Sequence, residues 1–597
     1  MLLSISLRDG ALGYSASSAR GLAIIGVSTT GTVGQLVAVT DPKSAADIFG
    51  TGKLVDRIAY HFANSGPGPV YAMRATSANA GTMPSYRLSL HAAYSESEAV
   101  LAFPAIVATT TAWLANNPRN VEIDFAAGWQ GGDITIVGTD VNGNAITEVI
   151  ADVAGSTVKG ARVFKTITSI TKELAAGAAD TAQPFTGNKS VQGGAVKDGQ
   201  LTGAASVPLD DYELVVVVTR AGSNVTAAFK YSLDGGETYS AEIAMVASYT
   251  GLSTSHGLTL AFSGAVSTAG DESFKVGDEF RFGATGPTMD STALSNALTA
   301  LHADASQWEG LHILGALTGA QAATVETWHG TCRSAGRFAW TIAEARDFTG
   351  AEAASTTGNA TWQTSVKADY ASVLSTYGQL AVVAGYIETV IPARGIYRRS
   401  AAWAVATQIS RLPLSEHPGQ PIAAGPLRGI FKPAGGVGLY QDERVNPGMG
   451  GSLGRFLTVQ TLIGKPNNFF IGDDAGLRSP GTMASGSSDY SLHMNVRVIL
   501  EACRRMQEKG TDLLARRVAT KQNGTLLESE AKKLDDEVSS YLRLYLVGPG
   551  HAVEAYAVVS RSHNVLSTKQ LPFQVFVRPF GYALNVQLSI GFEKVLV

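Results

Sequence analysis

The run GLAIIGVS (21–28), followed by DPKSAADIFG (41–50) and closed by VYAMRA (70–75), decides how this chain is read. GLAIIGVS is almost continuously apolar, the pattern of a strand buried on both faces. DPKSAADIFG opens a helix. Asp41 stands where an N-cap carboxylate accepts backbone N–H bonds, and Pro42 suits the first helical position, where an N–H would go unbonded anyway. A second helix runs from Leu54 to Asn64 with apolar Leu54, Ile58, Tyr60 and Phe62, and SGPGP stops it. VYAMRA is the next strand. The order β-α-α-β predicts an α/β sheet.

Outward from this segment the chain changes character. Residues 2–7 (LLSISL) predict a short strand with Leu3, Ile5 and Leu7 on one face, joined to the body by a Gly-, Ala- and Ser-rich stretch over 8–20. Residues 86–290 hold short alternating runs such as VEIDFAA, DITIVGTD, YELVVVVTR, AAFKYSL and DEFRFGA. Turn signals at Asn142-Gly143 and Asp234-Gly235-Gly236 separate them. They predict one or two β-sandwich-like inserts, 86–190 and 191–290, with a seam between 188 and 208 and one helix at 107–116. The α/β pattern returns over 291–470, with helices at 291–302, 319–335 and 362–376 and strands in LHILGA, RFAWTIAEA and LAVVAGYIE. Residues 441–488 are loop-rich. A long amphipathic helix is expected over 489–522 and a second over 525–546, then strands in FQVFVRP and NVQLSIGFEKVLV.

The fold class expected is therefore α/β (α+β), a core assembled from N- and C-terminal parts with one or two inserted mainly-β domains. Its segments are an arm (1–20), the core (21–85 and 291–470), the inserts, a C-terminal α/β domain (471–580) and a final arm strand (581–597).

Composition limits the function. The 597 residues are 45 % hydrophobic and 16 % charged, enough apolar material for several cores. The 65 glycines show no collagen period and favour a turn-rich protein. A net charge of −4 argues against nucleic-acid binding by bulk charge. Residues 86–290 carry 12 Lys/Arg against 22 Asp/Glu, while the remainder is net positive, so the two parts have different outlooks. Two cysteines, Cys332 and Cys503, exclude a disulfide scaffold and read as small core residues. The N-terminus lacks a secretory pattern, and no run is long and apolar enough to span a bilayer, so a soluble chain made in a reducing compartment is expected.

Catalytic and cofactor motifs are absent. Gly464-Lys465 is followed by Pro466, not the Ser or Thr of a phosphate loop, and NPGMGGSLGR (446–455) lacks dinucleotide-loop spacing and reads as a mobile or tightly turned loop. The ten histidines have no metal-ligand spacing. Trp129 and Tyr231 are lone aromatics of the insert that would serve either its core or a glycan. Arg497, Arg504, Arg505, Lys509, Arg516 and Arg517 lie along the long helix. The next helix carries Glu528, Glu530, Asp535, Asp536 and Glu537. Two readings stand: a lattice of charges within and between helices, or a docking face for another subunit or an enclosed cylinder. Both chain ends are short and strand-like. A lone terminal strand exposes an edge, which becomes useful when it pairs with a neighbour's sheet. Repeated head to tail, such contacts build an open helical array.

The stretch 41–75, with Phe49-Gly50, Asn64-Ser65-Gly66 and Met73-Arg74, resembles contractile tail sheath proteins. So do DYSLHMNVRVILEACRRMQE (489–508), the acidic second helix and the final IGFEKVLV; more loosely similar are IPARGIYRRSAAWAV and LYQDERVNP. The resemblance spans about 1–85 and 291–597 and leaves 86–290 outside it. It implies a non-enzymatic structural subunit without cofactor or metal, polymerised as a helical sheath around an inner tail tube. Baseplate and tail terminator proteins would be its other partners, without nucleic acid or membrane insertion. Its place would be the phage tail, after assembly in host cytoplasm. It implies arm strands exchanged between neighbours, carried by Leu3, Ile5, Leu7, Val586, Leu588, Ile590 and Phe592, and a tube-facing C-terminal domain with Arg497, Arg504, Arg505 and Lys509. The sheath of a bacterial injection machine (tailocin or type VI-like), another phage structural protein and a tail-associated glycan-active enzyme stay open as alternatives.

Overall fold

The computed structural model describes residues 21–581 apart from 78–79, 82–93, 96–119, 130–131, 141, 173–180, 187–188, 192–199, 203–205, 266, 269–272, 349–351, 353–357, 374–376, 393, 434–441, 445–446, 451–455, 463, 474–489 and 491. The arm strands expected at both ends and the helix expected at 107–116 lie outside the described residues.

The opening segment builds the central sheet. Its strands are β1 (Gly21–Gly26), β2 (Leu36–Val39), β3 (Val70–Arg74), β4 (Trp308–Ala316), β5 (Trp340–Glu344) and β6 (Leu380–Val383). They lie in the order β2-β3-β1-β4-β5-β6. All are parallel except β2, which pairs antiparallel with β3 at the edge. The sequence reading had no strand at 36–39. Val39 alone of the four is buried, with Leu36 and Val37 half-buried and Ala38 exposed, so this edge strand is short and lacks the continuous burial of β1.

Side chains of β1 alternate between two cores. Leu22 and Ile24 join a cluster with Leu54, Ile58, Tyr60 and Val405. Ala23 and Ile25 join Leu294, Leu298, Leu301, Val325 and Trp362 on the other face. Helices α1 (Pro42–Phe49), α2 (Lys53–Ala63) and α6 (Ala402–Arg411) carry the first set of partners; α3 (Ser291–Ala303), α4 (Gly319–Ser334) and α5 (Gly358–Asp369) carry the second. Both faces covered is the reason β1 is apolar throughout. The caps follow the sequence. Asp41 accepts from Ser44 N at 2.9 Å, and Thr318 with Gln321 forms a capping box on α4.

LAVVAGYIE is not one strand. The chain breaks at Gly385, whose φ of +136° suits only glycine. β6 stays in the central sheet, while β7 (Tyr386–Ile391) pairs with β8 (Gly395–Ser400) in a separate small sheet.

Between β3 and β4 the chain leaves the sheet and forms the β-rich region. Strands Val121–Phe125 and Ile134–Thr139 belong to different sheets, yet Ile123, Phe125, Ile134 and Ile136 share one core with Phe164 and Trp129. The later strands, led by Tyr212–Arg220, have no separate core. Leu214, Val216 and Phe229 merge with the α/β cluster around Leu22 and Trp403. The expected loop-rich stretch holds a hairpin, Thr458–Leu462 with Lys465–Asp473.

At the C-terminal end α7 (His493–Leu513) and α8 (Glu528–Leu542) pack with β9 (Glu554–Val559) and β10 (Phe573–Arg578). Val496 and Leu500 of α7 face the main core, and Val498 and Ala502 face the C-terminal core. The helix stops at Leu513, short of the expected 522, where the chain turns through Ala515 at φ +58°. A π-helical turn, Arg543–Val547, follows α8 and leads toward β9, a strand absent from the sequence reading.

Candidate assembly interface

The four cations expected on a tube-facing surface sit mostly inside the chain. Arg497 is 2 % exposed, and Arg504 and Arg505 are each 7 %. Arg497 lies 3.9 Å from Glu309 and donates to the Leu412 carbonyl at 3.2 Å. Arg504 lies 3.5 Å from the same Glu309, hydrogen-bonds Glu501 and donates to the Phe338 carbonyl at 3.0 Å. Arg505 meets Glu501 at 2.7 Å and Glu508 at 2.9 Å. Lys509 reaches across to Glu537 of α8 at 2.9 Å, where Arg516 arrives at 2.6 Å. Hydrogen bonds from Lys509 and Arg516 hold the Glu537 carboxyl below its usual range. The arrangement is a charge lattice that clamps α7 to the start of β4 and to α8. Glu309 is the residue sequence reasoning missed, because it follows an aromatic at the mouth of an apolar strand and carries no motif.

A second buried lattice joins the β-rich region to the core. Arg394, in the β7–β8 turn, donates through Nη1 to both Asp56 oxygens at 2.7 Å and to Asp210 at 2.9 Å. Arg399 bonds Asp210 at 3.1 Å and Asp56 at 3.3 Å. Lys53 closes on Asp211 at 2.9 Å. Asp56 and Lys53 belong to α2 and Asp210-Asp211 precede the strand Tyr212–Arg220, so three distant segments meet here. Burial, then the neighbouring Asp210, pushes Asp56 up to about 7. In Asp210 burial is outweighed by Arg399 and by the hydrogen bond with Asp56, so its carboxyl stays low. The signal in the sequence was the pair of acids before YELVVVV and the arginines of IPARGIYRRS, legible only once folded together.

The third feature is a ribbon. β9 and β10 pair antiparallel from Glu554↔Arg578 to Val559↔Phe573. Ala555, Ala557 and Val559 are buried toward α8, where Ser539 Oγ accepts from Ala557 N at 3.0 Å. Asp535 accepts from Val559 N at 2.7 Å. The outer face shows Tyr556 stacked on Phe576 with ring centroids 4.9 Å apart, both exposed. Among the described residues no third strand pairs with this ribbon.

Other motifs resolve into structure. Backbone N–H groups of Gly448, Met449 and Gly450 converge on one Glu443 oxygen at 2.8–3.1 Å, so the described part of the glycine stretch, 447–450, wraps a carboxylate of this chain. His312 accepts from Arg57 Nε at 2.9 Å and lies 3.3 Å from Glu344, all buried. Burial, chiefly, pushes His312 down to about 4 and His61 to about 3. Cys332 is buried and Cys503 partly so, both free thiols, and burial pushes Cys332 up to about 11. Among the described residues no three His, Cys, Asp or Glu side chains gather as a metal requires, and no helix is long and apolar enough to cross a membrane. Trp129 is core, donating to the Gly132 carbonyl at 3.1 Å.

Comparison with known proteins gives three findings. No curated protein matches the chain. Among solved structures, the chain is similar to a sheath tail protein of Listeria innocua at 9 % identity and a TM-score of 0.38, covering 94 % of this chain and 95 % of that one. It is also similar, at 14 % identity and a TM-score of 0.32, to a chain in the contracted baseplate of the anti-feeding prophage, covering 50 % of this chain and 74 % of that one. The family model described as the DUF2586 N-terminal domain matches residues 3–441, most of the length, and the chain therefore belongs to the DUF2586 family.

Proposed function

We propose that this protein is the structural subunit of a contractile tail sheath, working by assembly and rigid-body rearrangement and not by catalysis. The observation that carries the reading is the β9–β10 ribbon. A two-stranded ribbon is marginal alone, and this one is firmly anchored on α8 while both of its edges go unpaired among the described residues. Strand-like sequences at 2–7 and 585–597, the first as long as each ribbon strand, carry the alternating apolar pattern such pairing needs. In the proposal, these segments of neighbouring copies add to the ribbon by backbone hydrogen bonds. Each contact is heterologous, so repetition gives a helical tube that encloses an inner tail tube. The sequence resemblance over 41–75 and 489–508 supports the same reading.

The two charge lattices suit such a task. A body that rotates and slides during contraction must move as one piece, and buried ion pairs between segments tie α2, the β-rich region, α7 and α8 together. The arginines of α7 serve in this reading as internal clamps. The acidic β-rich region faces away from the tube. The test is negative-stain microscopy of the purified full chain and of the chain lacking 1–20. Long hollow tubes from the first and none from the second, at equal thermal stability, are expected. Single particles from both at every salt concentration would refute the proposal.

A further inference from the structure

The turn that carries Asp234 and the β7–β8 turn come from distant parts of the chain, and between them lies a cavity of about 270 Å³. Tyr231, Tyr239, Tyr397, Asp234, His256 and Arg394 line it. The polar groups are fixed in advance. Asp234 accepts from Ser232 Oγ at 2.6 Å, Thr238 N at 2.9 Å and Thr238 Oγ1 at 2.6 Å. Burial would raise its carboxyl, but the Ser232 and Thr238 bonds keep it below the usual range, so it is an ionised acceptor. Arg394 is immobilised by Asp56 and Asp210. Tyr239 is 39 % exposed, and Lys230 Nζ sits 4.3 Å from its ring centroid and steadies it. Tyr231 is partly buried against Tyr249, with ring centroids 6.4 Å apart.

Flat aromatic faces beside rigid hydrogen-bonding groups are what a sugar ring requires. Its C–H face packs on an aromatic ring, and its hydroxyls take bonds from planar side chains. The volume lies just under the range of roughly 300–1,000 Å³ typical of larger ligands, which suits a single ring. Charge selects the kind of sugar. Asp234 lines the cavity as an ionised carboxylate, so the carboxylate of an anionic sugar would meet a like charge there. We propose that this cavity binds one pyranose unit of a neutral glycan, with Tyr239 stacked on the ring and Asp234 and Arg394 bonding its hydroxyls. The site lies within one chain, so it stands or falls independently of assembly.

The experiment is saturation-transfer NMR on the full chain with methyl glycosides of glucose, galactose, mannose, rhamnose and N-acetylglucosamine, alongside galacturonate and sialic acid. At least one neutral glycoside should respond. Tyr239→Ala should weaken it by about tenfold, the loss of one stacked ring, and Tyr239→Phe should preserve it. Tyr377→Ala, an exposed tyrosine elsewhere, should leave it unchanged. No response from any neutral glycoside, a response untouched by Tyr239→Ala, or a response confined to the acidic sugars would overturn the assignment.

Discussion

Asp56 and Asp210 grip the same Nη1 of Arg394, and both are buried. Two carboxylates so placed do not ionise independently; the protonated Asp56 is hydrogen-bonded to Asp210. Because the folded-state value of Asp56 is raised from 3.8 to about 7, its stabilising contribution is complete below 3.8 and is lost as pH rises toward 7. Asp56→Asn, neutral at every pH, is expected to remove that dependence. The difference in melting temperature between the wild type and this variant should change between pH 4 and pH 7 and then level off, and a constant difference would contradict the shared-proton reading. Glu309 is the counterpart in the α7 lattice. Glu309→Ala leaves Arg497 and Arg504 buried without this carboxylate and should cost about 3–5 kcal/mol in urea unfolding. A cost under about 1 kcal/mol, the value of a surface pair, would show that the lattice does not clamp α7.

Capped helices and strands with strong apolar runs, such as β1 and β3, were legible; edge strands and breaks set by a distant partner were not. Asp41, Pro42 and Gly50 mark α1 unambiguously, and α2, α3 and α4 lie within about two residues of their expected bounds, because caps and 3.6 periodicity are local. LAVVAGYIE hid a break because Gly385 can continue a strand or turn it, and only the second sheet decides which. β2 and β9 escaped notice because a half-buried edge strand depends on its partner. The long α7 was recognisable from Leu492 to Cys503, but its arginines read equally as a surface or as a clamp, since a sequence does not say which carboxylates face them. Packing at element scale gives a sharp test. A Cβ added at Gly310 of β4 would stand 2.2 Å from the Trp340 ring of β5. Gly310→Ala should therefore destabilise by about 1–3 kcal/mol, read from urea midpoints, whereas Gly425→Ala meets no neighbour and suffers only backbone strain.

At the scale of the molecule, three facts bear on assembly. The α/β core and the later part of the β-rich region share one hydrophobic cluster, while strands 121–186 keep a core of their own. The C-terminal unit is tied to the body through both faces of α7. Among the described residues no third strand pairs with its ribbon. The seam expected near 188–208 was a composition signal, and composition does not tell whether two neighbouring units share a core. The central claim is that the ribbon's edges are filled by arms of other copies. A benzophenone amino acid at the exposed Gln574 of β10, in tubes grown from equal parts of isotopically heavy and light chains, measures this directly. Cross-linked peptides should join position 574 to residues 1–20 or 582–597, with mixed heavy–light pairs as frequent as random exchange between copies requires. Tubes whose cross-links join only chains of like isotope, or reach neither terminus, would contradict strand exchange as the basis of assembly.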